Sequence, residues 1–246
     1  MGKLIDTLQR AGRSTGGAIG FLGQGGGPKA KAAAILVTAS DVKSIAALVA
    51  AGADAVILPA GADLAGTKDA GVAVGVDARQ APTFTGDALK ALHEQGADFV
   101  LLAANAPVRA LTEEIEHFDR ALLVAPPTDD PLLIAFRALN VLDVEVGVLD
   151  LQLRAKDLTS LTVQEYARLR LLSESLRFPV IVTLAEMPAP DDVRTLARLG
   201  AQGVWLADAT PATITTLREE LERVPREKTP VPGIAGLTNP GSTAGR

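Results

Sequence analysis

Four carboxylates in this chain stand where an apolar run has just ended. Asp77 follows the run at 72–76, Asp150 follows 145–149, Glu186 lies shortly after 179–183, and Asp208 closes 203–207. Oxygen donors from four separate segments could converge on a hard cation such as Mg²⁺, or divide the roles of general acid and general base. Asp residues at such positions also cap the next helix through its free N–H groups, so this second use stays open. Asp77 and Asp150 follow similar words, Gly75-Val76 and Gly147-Val148-Leu149, which favours a shared role. Arg79 and Arg154 could clamp a substrate carboxylate or phosphate, though solvation at the surface would equally account for them. Thr38, Asn105, Gln152 and Thr183 occupy comparable positions and could supply hydrogen bonds to a small ligand. Together these are the candidate catalytic residues (Asp77, Asp150, Glu186, Asp208) and the candidate substrate-binding residues (Thr38, Arg79, Asn105, Gln152, Arg154, Thr183).

Other chemistries are excluded or weakened by what is missing. The chain has no cysteine, which removes disulfides, thiolate catalysis and cysteine-bound metals. Its two histidines, His93 and His117, fall in segments read as helices, where a surface role is expected. No lysine follows an apolar run closely enough to serve as a Schiff-base nucleophile. Gly23-Gln24-Gly25-Gly26-Gly27-Pro28-Lys29 resembles a nucleotide loop only superficially. Pro28 replaces a required glycine and Ala30 replaces the Ser or Thr of a P-loop. A net charge of −5 discourages binding to nucleic acid or an anionic membrane. No apolar stretch reaches the length of a membrane span. The protein is therefore expected in the cytoplasm, with a small-molecule ligand or copies of itself as its partners.

Positioning four such carboxylates requires a repeating scaffold, and the sequence provides one. Gly52-Ala53-Asp54, Gly96-Ala97-Asp98 and Gly200-Ala201-Gln202 each introduce an apolar run. The glycine can take the left-handed conformation that ends a helix, and the run after it suits a strand buried on both faces. Eight strand candidates recur at 33–38, 54–58, 72–76, 98–103, 121–125, 145–149, 179–183 and 203–207. Helical spacing fills 41–51, 86–95, 108–118, 130–141, 163–177, 190–199 and 211–223, with 62–70 as a weak eighth member. Ser40 is a candidate N-cap, Thr162 with Glu165 forms a capping box, and Pro211 follows Thr210 at a first helical position. This alternation predicts a (β/α)₈ barrel over 32–224, with a doubly wound sheet as the competitor. Residues 1–31 form an arm with a short helix at 3–11, able to cover the bottom of a barrel or to add a strand outside it. Residues 225–246, rich in Pro and Gly, read as a flexible tail.

The stretch 179–208, which runs Pro-Val-Ile-Val-Thr, then a helix with an acidic start, then Gly-Ala-Gln-Gly-Val, resembles the last two units of aldolase-type, ribulose-phosphate-binding and FMN-binding TIM barrels. The resemblance extends more loosely over 33–223 through the Gly-Ala-Asp joints. It implies a barrel with a phosphate site built on paired glycines after the seventh strand and a small pair after the eighth. Here Leu184, Ala185 and Glu186 occupy the first position, and Ala207 and Asp208 the second. Carboxylates compete with an anionic ligand for the same amides, so these residues oppose the ordinary form of that site. A lyase, isomerase or epimerase acting on a small anionic metabolite is one reading of the whole. A barrel without catalysis, serving in binding or assembly, is the other. A divalent cation is the cofactor that the carboxylates suggest, and flavin is not favoured.

Overall fold

The computed structural model describes residues 2–12, 32–80, 85–124, 140, 144–149 and 161–224. The expected helix at 130–141, the candidate residues Asp150, Gln152 and Arg154, and the tail at 225–246 lie outside these residues.

Eight parallel strands close on themselves in sequence order: β1 (Ala34–Thr38), β2 (Ala55–Pro59), β3 (Ala73–Asp77), β4 (Phe99–Ala103), β5 (Asp119–Val124), β6 (Val146–Leu149), β7 (Val180–Leu184) and β8 (Gly203–Leu206). The expected (β/α)₈ barrel is the observed fold. Alternation along each strand divides the core in two. Ile35, Val37, Val56, Val74, Val100 and Val182 face outward to the helices, while Leu36, Ile57, Phe99, Leu101, Val148 and Ile181 fill the barrel.

The helices are α1 (Lys3–Gly12), α2 (Val42–Ala50), α3 (Gly86–Gln95), α4 (Arg109–Thr112), α5 (Val163–Ser175), α6 (Pro190–Arg198) and α7 (Pro211–Arg223). The capping box of Thr162 and Glu165 forms as read, and Thr210 caps α7 with Pro211 in its first turn. Three local expectations change. The cap of α2 is Asp41, whose side chain accepts from the Ser44 N–H at 2.9 Å, so Ser40 stands one residue outside. The helix expected at 108–118 is the single turn α4. The chain then leaves helical geometry, and His117 takes a positive φ of 61° in a turn rather than sitting on a helix. The second βα unit carries only a 3₁₀ turn, Thr67–Asp69, in keeping with its weak pattern.

The Gly-Ala-Asp joints do more than end helices. Gly52, Gly96 and Gly200 hold φ of 111°, 115° and 83°. Beyond each, Asp54, Asp98 or Gln202 donates its backbone N–H to the carbonyl of a residue on the preceding strand. Its side chain then accepts that same residue's N–H: Asp54 from Ile35 at 2.9 Å, Asp98 from Val74 at 3.0 Å, and Gln202 from Val180 at 2.7 Å. Glu145 repeats the ring with Arg120, accepting at 2.8 Å. Each even strand is thereby pinned to the odd strand before it, four times around the barrel's closed end.

That closed end is plugged by α1. Leu4 and Leu8 are fully buried and pack with Ala34, Ala55, Ala73 and Ala121, whose small side chains leave room inside the floor. A Cβ at Gly203 would lie 2.8 Å from the Leu8 side chain, so the glycine makes the socket. Asp119, 1% exposed, caps the plug by accepting from the N–H groups of Gly2, Leu4 and Ile5 at 3.1, 2.9 and 3.1 Å. Burial raises the Asp119 carboxyl above its ordinary range, against the lowering effect of those three bonds. None of the described helices is long and apolar enough to cross a membrane.

Candidate functional site

In a (β/α)₈ barrel, side chains at the C-terminal ends of the strands meet at one mouth. Four residues come together there. Asp77 ends β3, and two residues on Arg79 turns back to grip it in a bidentate pair, Nε to Oδ1 at 2.8 Å and Nη2 to Oδ2 at 2.7 Å. The backbone N–H of Arg79 also donates to Asp77 Oδ1 at 3.1 Å. The guanidinium lies over the Trp205 ring, 4.9 Å from its centroid. The Trp205 Nε1–H in turn donates to Thr38 Oγ1 at the end of β1, at 3.1 Å. Thr183 on β7 is the ladder neighbour of Trp205.

The local sequence explains this assembly. Gly203 and Trp205 stand two apart on β8, so the residue that makes the socket for Leu8 and Trp205 share the face that points into the barrel. Trp205 is 3% exposed and packed into the core, and it also bridges two polar groups. The sequence carries a signal for this: a lone Trp at an inward position must find an acceptor for its N–H, and Thr38 is the polar residue facing it across the β1–β8 ladder. Lower in the barrel Gly75 makes room for Phe99, because a Cβ there would overlap the ring. The two aromatics therefore fill the centre of the barrel beneath the strand ends.

The remaining candidates stand apart. Asn105 is exposed in the turn after β4, and Glu186 and Asp208 are exposed beyond β7 and β8. Among the described residues, no group of three or more Asp, Glu, His or Cys is placed to hold a metal ion. Asp77 is engaged by Arg79. Sequence reasoning passed over Asp192, which is 2% exposed in the first turn of α6. Its Oδ1 is a buried side-chain oxygen with no hydrogen-bond partner, and burial raises its carboxyl above the ordinary range. His93 sits in the last turn of α3, with Nδ1 3.2 Å from the Ala97 carbonyl and its ring edge-on to Phe118, as a supporting residue would. A separate cavity of about 440 Å³ lies on the flank, where Val42, Ile45 and Val49 of α2 face Gly66, Asp69 and Ala70. It exists because the second unit has a 3₁₀ turn where a helix would stand. No candidate residue lines it.

Chemically, the mouth offers a guanidinium fixed by an acid and an aromatic face, with a hydroxyl beside it. Such a group suits recognition of a planar or tetrahedral anion. No protein-family model matches the chain, and no curated protein matches it in sequence. Solved structures do match its shape. N-(5'-phosphoribosyl)anthranilate isomerase from Pyrococcus furiosus aligns with a TM-score of 0.57 at 13% identity, over 78% of this chain and 100% of that one. Orotidine 5'-phosphate decarboxylase from Pyrococcus horikoshii OT3 gives 0.55 at 13%, over 77% and 100%. HpcH/HpaI aldolase from Desulfitobacterium hafniense DCB-2 gives 0.51 at 12%, over 77% and 92%. At these identities the likeness is one of fold. It agrees with the aldolase-type and ribulose-phosphate-binding barrels that the stretch 179–208 resembles, and this chain shares their (β/α)₈ architecture.

Proposed function

We propose that the protein is a barrel enzyme of the lyase, isomerase or epimerase range, acting on a small anionic metabolite held at the mouth by Arg79. The observation that carries this reading is the placement of Arg79 at the C-terminal end of the strands, fixed in orientation by Asp77 and Trp205. A guanidinium held in place before its ligand arrives loses less freedom on binding than a surface arginine does. Isomerases and decarboxylases among the similar solved structures place their chemistry on the same architecture, which supports the class by analogy of fold. Asp77, together with Asp150 beyond the described residues, is the proposed acid–base group, and Thr38 and Thr183 are proposed to orient the ligand.

The alternative is a barrel that binds without turning over; a packed interior is common to catalytic (β/α)₈ barrels and does not favour it. One screen separates the two. Purified protein is tested for thermal stabilisation and for turnover against a panel of small carboxylates and phosphate esters, alongside Arg79→Met. The enzyme reading expects at least one compound to be both bound and converted, with affinity in Arg79→Met reduced by about tenfold or more, as for loss of a charge-assisted pair. Binding without conversion selects the second reading. Binding that is unchanged in Arg79→Met removes the mouth from both.

A further inference from the structure

We infer that the anion taken at the mouth is a carboxylate rather than a phosphate ester, and that Trp205 is the residue that positions its two donors. This rests on the reading of the mouth as an anion site. Indole nitrogen only donates, so Thr38 Oγ1 is the acceptor in their 3.1 Å bond. The hydroxyl proton of Thr38 is thereby directed away from the ring, and among the described residues its side chain has no other hydrogen bond. The face of the same indole carries the Arg79 guanidinium at 4.9 Å. One rigid ring thus holds a hydroxyl donor at its edge and a cation on its face. In this proposal each of the two groups takes one oxygen of a carboxylate.

Charge and backbone both argue against a phosphate. Asp77 already occupies Nε and Nη2 of Arg79, so the pair is close to neutral before any ligand arrives. Glu186 and Asp208 add negative charge at the exposed rim. A dianion meets more of this opposition than a monoanion does. A phosphate also draws on several backbone N–H groups at once, usually presented by glycines. Here Leu184 ends β7, packed into the core, and Ala185 follows it instead.

Trp205 is the only tryptophan, so its fluorescence reports events at the mouth directly. The wild-type protein is titrated at pH 7 with acetate, pyruvate, inorganic phosphate and ribose 5-phosphate, by fluorescence and calorimetry. Saturable binding of acetate or pyruvate is expected, with both phosphates weaker by about tenfold or more. Thr38→Val and Trp205→Phe, checked for folding by circular dichroism, each lower pyruvate affinity roughly three- to tenfold, the range of one hydrogen bond. Trp205→Phe keeps a ring face for Arg79 and removes only the bond to Thr38, so the double variant is no weaker than Thr38→Val alone; a ring that only fills space would make the two losses add. Tighter binding of either phosphate, or additive losses, overturns this inference and leaves the anion site standing. Failure of all four probes to bind overturns both.

Discussion

At the scale of single residues, the molecule spends its buried carboxylates on structure. Asp119 illustrates the cost. Its native carboxyl is raised above 3.8 by burial, so between that value and the raised one the folded protein holds a proton that the unfolded chain has released. Stability therefore falls as pH rises through this window and then levels off. Asp119→Asn keeps an acceptor for the plug and loses the titration. Its stability relative to wild type, from urea unfolding at pH 4 and pH 7, should improve as pH rises; a relative loss instead would mean that the three N–H bonds outweigh burial. Glu145, raised chiefly by burial, adds a slope of the same sign; the Asp119 charge contributes to that rise, so Asp119→Asn weakens this slope too and moves the comparison in the same direction. Exposed pairs matter less. Lys90 and Glu113 shift one another in opposite directions by hydrogen bond and charge, yet both lie at the surface, and Lys90→Ala should leave the thermal midpoint almost unmoved.

At the scale of elements, α1 is the piece whose removal should tell most. Leu8→Ala empties the Gly203 socket and should cost about 3 kcal/mol in urea unfolding, the usual range for a buried leucine. Filling the socket from the other side, by Gly203→Val, should be at least as damaging. A loss below ~1 kcal/mol for Leu8→Ala would show that the plug sits loosely on the barrel. Much of this layer was legible beforehand. The Gly-Ala-Asp words gave the strand entries, and Thr162 and Thr210 gave helix starts, because caps and left-handed glycines depend on a few adjacent residues. The turn at α4 was not legible: 108–118 has helical spacing, and tertiary context overrides it where the chain turns extended at Glu113 on its way to β5. The mouth was half legible. Thr38, Asp77 and Arg79 could be named from strand ends, whereas the bond between Thr38 and Trp205 joins residues 167 apart and depends on barrel closure. Glu145 escaped notice as a fourth joint because no Gly-Ala precedes it, although its backbone geometry is the same.

At the scale of the whole molecule, a closed sheet leaves no unpaired edge, and the eight ladders tie the first strand to the last. The acidic surface implied by a net charge of −5 should keep the protein from retaining nucleic acid, checked by filter binding at low salt, where nonspecific electrostatic attachment is strongest. The four hydrogen-bonded rings at the closed end carry a consequence for connectivity. Each ring joins an odd strand to its successor, so the barrel divides into quarters that each carry a side-chain ring on top of their ladder, while neighbouring quarters are joined through their ladders. The chain can then be reopened between quarters without cutting a ring. With the original termini joined by a flexible linker, a permuted chain beginning at Gly61, in the exposed turn between β2 and β3, keeps all four rings. One beginning at Gly52 separates β1 from the backbone that delivers Asp54 to it. The first should melt close to wild type, and the second well below it.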